Sequence, residues 1–240
     1  MKHVCYFDVN SHDEDMFGNL KPGAVIRYMQ EAANLQLYET GFSYDEMYRQ
    51  GRVFILSRLN VSVYADLHPH DKLCAQTWLS DCHGVVFNRF YKLLRGDDLV
   101  AEGASVWGLI GVADKKIYRA TDADWQIHAD TDTVGIDMPK RMAHKDVPFT
   151  LCGERTVYYS DCDLNGHMNN TVYADMLFSF APEIRTGEGR RAVSMNISYV
   201  NEAVCGEELK VYTADVDGVR CFRTVRQDGQ INAEAEFIIE

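Results

Sequence analysis

Residues 160–170 read Ser-Asp-Cys-Asp-Leu-Asn-Gly-His-Met-Asn-Asn and crowd carboxylates, carboxamides, a glycine and a histidine into one short stretch. Three of these side chains, Asp163, Asn165 and His167, have the types needed to activate water and hold a polarised carbonyl. Imidazole titrates near neutrality and exchanges protons readily. A polar turn that runs into a helix also gathers unpaired N–H groups and the positive end of the helix dipole. The amides near Met168 and Asn169 are therefore the backbone donors expected to face a developing oxyanion. The same residues have a plainer use. Asp161, Asp163 and Gly166 are ordinary turn formers, and Asn169 or Asn170 suits a helix N-cap.

The flanking elements follow from periodicity. A strand-like run at 155–159 precedes the turn, and an amphipathic helical run at 171–180 follows it. Towards the N-terminus a strand is expected over 4–9, followed by a polar turn at 11–19. Pro22 then opens a helix, in which Val25, Tyr28, Met29, Ala32 and Leu35 share a face and Gly41 marks the end. Ser43 to Glu46 has the capping-box spacing and should start a short helix. Strands are expected over 54–64, 72–79, 85–94 and 99–112, and again over 194–200, 209–217, 219–226 and 231–239. A helix followed by an antiparallel meander is α+β order, and no glycine-rich nucleotide-binding string is present.

The order strand, turn, helix, strands occurs twice. Residues 15–20 overlay 163–168 at an offset of 148, and the helices align at the same offset, with Tyr28 over Met176 and Ala33 over Ala181. Residues 59–62 overlay 195–198 at an offset of 136, with Asp66 over Glu202, so the second helix-to-strand connection is 12 residues shorter. A duplicated α+β module accounts for this. It predicts an N-terminal module over 1–123, a connector over 124–150 and a C-terminal module over 151–240. Both copies keep the glycine and the acidic residue three positions before it. Only the second has the histidine, where the first has Asn19, and the inner asparagine, where the first has Phe17. One polar copy in two points to one chemical site per pair of modules.

The string Asp163-Leu164-Asn165-Gly166-His167-Met168-Asn169-Asn170 resembles the D-x-N-x-H-x-N-N signature of acyl-ACP thioesterases from plants and bacteria. In the first half the helix segment 30–34, the strand at 54–60 and Ser105-Val106-Trp107 are similar to the same family. The resemblance implies a double hotdog, in which each of two helices is wrapped by a curved antiparallel sheet and the sheets join edge to edge. It implies Asp163, Asn165 and His167 as active-site residues and Glu202 as the matched acidic residue, the candidate base for water. Burial of Glu202 in an apolar channel would raise its pKa towards neutrality. Plant members often carry a cysteine directly after that glutamate, whereas this chain has Ala203, which favours attack by water over an acyl-cysteine intermediate. The implied reaction is hydrolysis of fatty acyl-ACP to the free acid. The rivals are an acyl-CoA thioesterase, a 3-hydroxyacyl thioester dehydratase and an inactive acyl-binding module.

Composition narrows the partners. With 46% hydrophobic and 25% charged residues the chain is expected to form a packed core. A net charge of −12 argues against nucleic acid, and no apolar run approaches the ~18 residues of a membrane span. The acyl carrier is itself acidic, so Lys115-Lys116, Lys140-Arg141 with Lys145, and Arg190-Arg191 are the candidate docking cations. A second copy of the chain, in a homodimer, is the other partner considered. Residues 1–6 show neither signal-peptide nor transit-peptide character, so a cytoplasmic location is expected. Seven cysteines without a C-x-x-C pair read as free thiols, and no metal or other cofactor is expected.

Overall fold

The computed structural model describes residues 2–80, 82, 84–119, 129–185 and 190–240. The first half contributes β1 (His3–Asp8), α1 (Pro22–Glu39), α2 (Tyr44–Arg49), β2 (Arg52–Val63), β3 (Lys72–Leu79), β4 (Phe87–Arg95), β5 (Asp98–Gly111) and β6 (Ile117–Tyr118). The second contributes β7 (Thr150–Thr156), α3 (Asn170–Ser179), α4 (Pro182–Arg185), β8 (Ala192–Tyr199), β9 (Glu208–Val216), β10 (Val219–Val225) and β11 (Ile231–Ile239). The end of the expected N-terminal module, 120–123, and the start of the expected connector, 124–128, lie outside the described residues.

The strands form one sheet in the order β1-β3-β4-β5-β2-β8-β11-β10-β9-β7, with β6 beside β5. Read outwards from the centre, both halves have the same order of equivalent strands. The seam is the antiparallel pair β2–β8, in which Leu59 faces Ile197, Asn60 faces Asn196 and Val61 faces Met195. Asn60 and Asn196 are equivalent at the 136-residue offset, so a pseudo-two-fold axis passes between them. Their side chains donate to Asp137 O (2.9 Å) and Lys140 O (3.0 Å), which ties the connector across the seam. This is the double hotdog: two helices on one continuous curved sheet.

Local chemistry sets the helices. Pro22 sits in the first turn of α1, and Ala24, Val25, Tyr28, Met29, Ala32, Ala33 and Gln36 bury one face. Gly41 takes φ +81°. The Phe42 amide then reaches Leu37 O and the Gly41 amide Tyr38 O, the paired bonds of a Schellman stop. Ser43 caps α2 by accepting from the Glu46 amide. One core joins both halves, with Met29, Val61 and Leu93 from the first and Leu177, Ile197 and Phe222 from the second. Tyr28, Tyr173, Met176 and Phe178 belong to it as packing residues.

The strand expected at 155–159 is displaced. β7 ends at Thr156, and Tyr159–Asp161 is a 3-10 turn. Asp161 causes the break. Its carboxylate takes two bonds from Arg155, at 2.8 and 2.7 Å, and one from the Tyr158 amide at 2.8 Å, which folds the chain back on itself.

The helices meet at a polar contact beside the axis. Arg27 of α1 bonds Asp175 of α3 (3.2 Å) and Asp13 (3.1 Å), and the Gly23 amide donates to Asp175 (2.6 Å). Asp13 is buried and also accepts from Tyr28 Oη at 2.7 Å. Burial alone would raise its carboxyl, but the bonds from Tyr28, Arg27 and Asn10 outweigh that and hold it below its ordinary 3.8. Burial, helped by Asp13, pushes the Tyr28 phenol up to about 12. A depressed carboxyl stabilises the fold above its unfolded pKa, and the contribution disappears as pH falls through the folded value. Asp13→Asn is therefore expected to lose about 2–3 kcal/mol at pH 7. Urea unfolding at several pH values should show the variant and wild type converging as pH falls below the ordinary carboxylate range and the Asp13 carboxyl protonates.

Candidate active site

Asp163 builds the turn. Its amide donates to His167 O (3.0 Å), its carbonyl accepts from the Gly166 amide (2.9 Å), and its Oδ1 accepts from the Asn165 amide (2.9 Å). Oδ2 accepts from Asn169 Nδ2 at 3.1 Å, and Gly166 takes the φ of +75° that closes the turn. Asp15 makes the equivalent bonds in the first half, to Asn19 O, the Gly18 amide and the Phe17 amide. Asp163 is thus a scaffold residue common to both copies. It bonds the backbone amide of Asn165 and touches neither the His167 ring nor Glu202 among the described contacts.

The turn delivers His167 to the loop after β8. His167 bridges Val204, and its Nε2 lies 3.0 Å from Glu202 Oε2. A carboxylate accepts, so this contact assigns the imidazole proton to Nε2. The loop is held from behind by Asn232, fully buried in β11. Its carbonyl accepts from the Val200 and Asn201 amides, and its side chain donates to Tyr173 Oη at 2.9 Å and to Asn201 O. The histidine is 29% exposed and the glutamate 56%. Glu202 therefore faces solvent, and the apolar burial expected of it is absent.

Both backbone donors assigned to the oxyanion are engaged elsewhere. The Met168 amide donates to Ala203 O and the Asn169 amide to Asp161 O, each at 2.8 Å. The bonds that hold the turn against its neighbours consume these protons, so neither amide can receive substrate. Asn169 instead caps α3, its Oδ1 accepting from the Thr171 amide at 2.9 Å. The remaining side-chain donor in the turn is Asn165. Its Oδ1 accepts from Tyr44 Oη, at 2.6 Å, from α2 of the other half. Spacing gives no hint of that contact, since 121 residues separate the partners. Asn232 left no clear signal, since it alternates with Glu234 and Glu236 and so reads as one more polar position on the outward face of the strand.

The corresponding place in the first half is closed. Arg191 reaches over from the second half and pairs with Asp66, the counterpart of Glu202, at 2.6 Å. The void beside Asn19, Leu20 and Asp66 measures about 20 Å³, room for a single water. At the 136-residue offset Arg191 corresponds to Ile55, a neutral side chain 41% exposed, so no such cation stands at the equivalent position by Glu202. A wider cavity of about 390 Å³ opens between the modules, lined by Asp13, Arg27, Tyr28, Glu31, Asn169 and Thr171. None of the four predicted catalytic side chains lines it.

One other expectation changes with the geometry. Lys116, Lys140 and Arg191 each face a carboxylate, at 3.7, 2.8 and 2.6 Å, so the basic clusters carry less free positive charge than the sequence suggests. Beneath the connector His144, Cys221 and Glu236 place ligand atoms within 4.8 Å of one another. Ligands on one tetrahedral zinc sit closer, about 3.5 Å apart. Glu236 is moreover engaged by the amides of Ala143 and His144.

Two hotdog modules on one continuous sheet define a class. The chain belongs to the thioesterase-like superfamily, whose model matches residues 9–143. Within it the resemblance to acyl-ACP thioesterases is borne out, since residues 150–239 match the acyl-ACP thioesterase C-terminal domain. A chloroplastic palmitoyl-acyl carrier protein thioesterase of Arabidopsis thaliana is 20% identical over 221 residues, covering 84% of this chain and 52% of that protein. The chain thus spans about half the length of the curated relatives it matches. An acyl-ACP thioesterase from Bacteroides thetaiotaomicron has the same fold, with a TM-score of 0.89 at 21% identity over 100% of this chain and 98% of that one. The 12:0-ACP thioesterase from Umbellularia californica superposes with a TM-score of 0.77 at 16% identity, over 100% and 97%. No helix among the described residues is long and apolar enough to cross a membrane.

Proposed function

We propose that this protein hydrolyses the thioester of fatty acyl-ACP, releasing free fatty acid and carrier and so ending chain elongation. The observation that carries the reading is the 3.0 Å contact between His167 Nε2 and Glu202 Oε2, in a turn that also holds Asn165 and whose first-half copy has Asn19 and Phe17 in place of the histidine and the asparagine. The two relatives named for palmitoyl-acyl carrier protein support the carrier. Water attacks the carbonyl carbon while Glu202 takes its proton. Asn165 Nδ2 holds the carbonyl oxygen as charge develops there. The tetrahedral species then collapses, the C–S bond breaks, and Glu202, held by the His167 Nε2–H, returns the proton to the departing sulfur. Asp163 fixes the turn, and the residue directly after Glu202 is Ala203 rather than a cysteine that could form an acyl-enzyme. We place the reaction in the cytoplasm, with the active site in the second module and the first as its partner half.

Release of free thiol from matched acyl-ACP and acyl-CoA substrates of several chain lengths tests this. Turnover of acyl-ACP at least tenfold above acyl-CoA is expected. A strong preference for acyl-CoA would overturn the carrier assignment. Appearance of an enoyl product without free acid would overturn hydrolysis.

A further inference from the structure

The two halves differ by more than their turns. The 12 additional residues of the first half lengthen α1 to 18 residues against 10 in α3 and start β2 four positions before the counterpart of β8, and the connection that follows α1 carries α2, Tyr44–Arg49. In the second half the short α4 follows α3, and 186–189 lie outside the described residues. Helix α2 is seated firmly. Met47 is buried with Phe87 and Leu109, Phe42 and Phe54 pack around them, and Ser43 caps the start. This seating leaves Tyr44 and Tyr48, one turn apart, stacked at 6.0 Å between ring centroids. It also points the Tyr44 hydroxyl across to the second half, where it meets Asn165 Oδ1.

That contact bears directly on the chemistry proposed above. A carboxamide on an exposed turn can rotate end for end, and only one orientation directs N–H groups at a carbonyl oxygen. A hydroxyl fixed to one end removes the choice, provided that it donates. The phenol keeps its proton well past neutrality, since burial first, and then Tyr48, Asp163 and Asp45, raise its pKa. We propose that Tyr44 is a positioning residue for the second-half site: its hydroxyl donates to Asn165 Oδ1 and leaves the Nδ2 end, with one of its N–H bonds, facing the reacting carbonyl. A helix of the first module thereby completes the site of the second. The kinetic consequence rests on the hydrolase reading; the geometric one does not.

The full chain and three variants, Tyr44→Phe, Asn165→Ala and the double, separate the possibilities. Tyr44→Phe keeps the stacked ring and the fold. It is expected to lower kcat about 10-fold with KM changed less than about 2-fold, because the lost interaction matters only as charge develops. In the Asn165→Ala background the same substitution should have no further effect. An equal drop in both backgrounds, or unchanged kcat in Tyr44→Phe, would overturn the proposal. A second readout is independent of turnover. The side-chain amide resonances of Asn165, identified by their loss in Asn165→Ala, should shift towards free-carboxamide values in Tyr44→Phe. Unshifted resonances would show that the contact does not hold in solution. If the wild type hydrolyses no thioester while the resonances shift as expected, the hydrolase reading fails and the orientation of Asn165 by Tyr44 stands.

Discussion

Replacing His167 by alanine is expected to lower kcat for acyl thioester hydrolysis by about 10³, within the 10²–10⁴ typical of removing a positioned acid or base. Glu202→Gln should fall as far, because His167 acts by holding the carboxylate that carries the proton, across 3.0 Å. The double variant should be no worse than either single one, as expected of residues that act as a unit. Asn19→Ala, at the histidine's counterpart beside the void closed by Arg191 and Asp66, should retain full activity. The measurement is free thiol released from acyl-ACP, with melting curves to show that each variant is folded. Activity of His167→Ala within a factor of two of wild type would remove the dyad from the mechanism. A drop for His167→Ala together with an unchanged Glu202→Gln would leave the histidine acting alone.

The turn was legible in the sequence because its determinants are local. Asp163, Gly166 and Asn169 act on neighbours within six residues, and side-chain type at short range settles such contacts. The same locality explains why Asp163 reads as a catalyst. A carboxylate beside a histidine suggests acid–base chemistry, while its actual partners are backbone amides and the Asn169 carboxamide. The first copy held the correction, since Asp15 persists there without a histidine to serve. Contacts that span the chain left no such trace. The Met168 amide is taken by a carbonyl 35 positions away, and Asn165 by a phenol in the other module. Strand alternation through Arg155, Val157 and Tyr159 also pointed past the true end of β7, because the ion pair with Asp161 outweighs local propensity there. Solvent exposure of Glu202 follows from how the loop leaves β8, which residue types do not record.

Gly23→Val is expected to be the most damaging single change to the fold that holds this site. The glycine lies in the first turn of α1 where it crosses α3. A Cβ there would fall 2.5 Å from Asp175 Oδ2 and 2.7 Å from Thr171 O. The carboxylate could swing aside only by giving up its bonds to the Gly23 amide and to Arg27. The Thr171 carbonyl is backbone in the first turn of α3 and cannot yield without moving that turn. Helix propensity works in the other direction, since glycine in a helix is about 1 kcal/mol poorer than alanine. Overpacking of a closed contact typically costs 1–3 kcal/mol, and the larger valine should reach about 3 kcal/mol. For a chain of this size that corresponds to a fall in melting temperature of roughly 6–12 °C. The displaced turn also carries Asn169, which holds Asp163, so kcat should fall along with stability. A melting temperature within about 2 °C of wild type would show that the helices can part at Gly23 without loss, and the close crossing would then have no part in holding the turn.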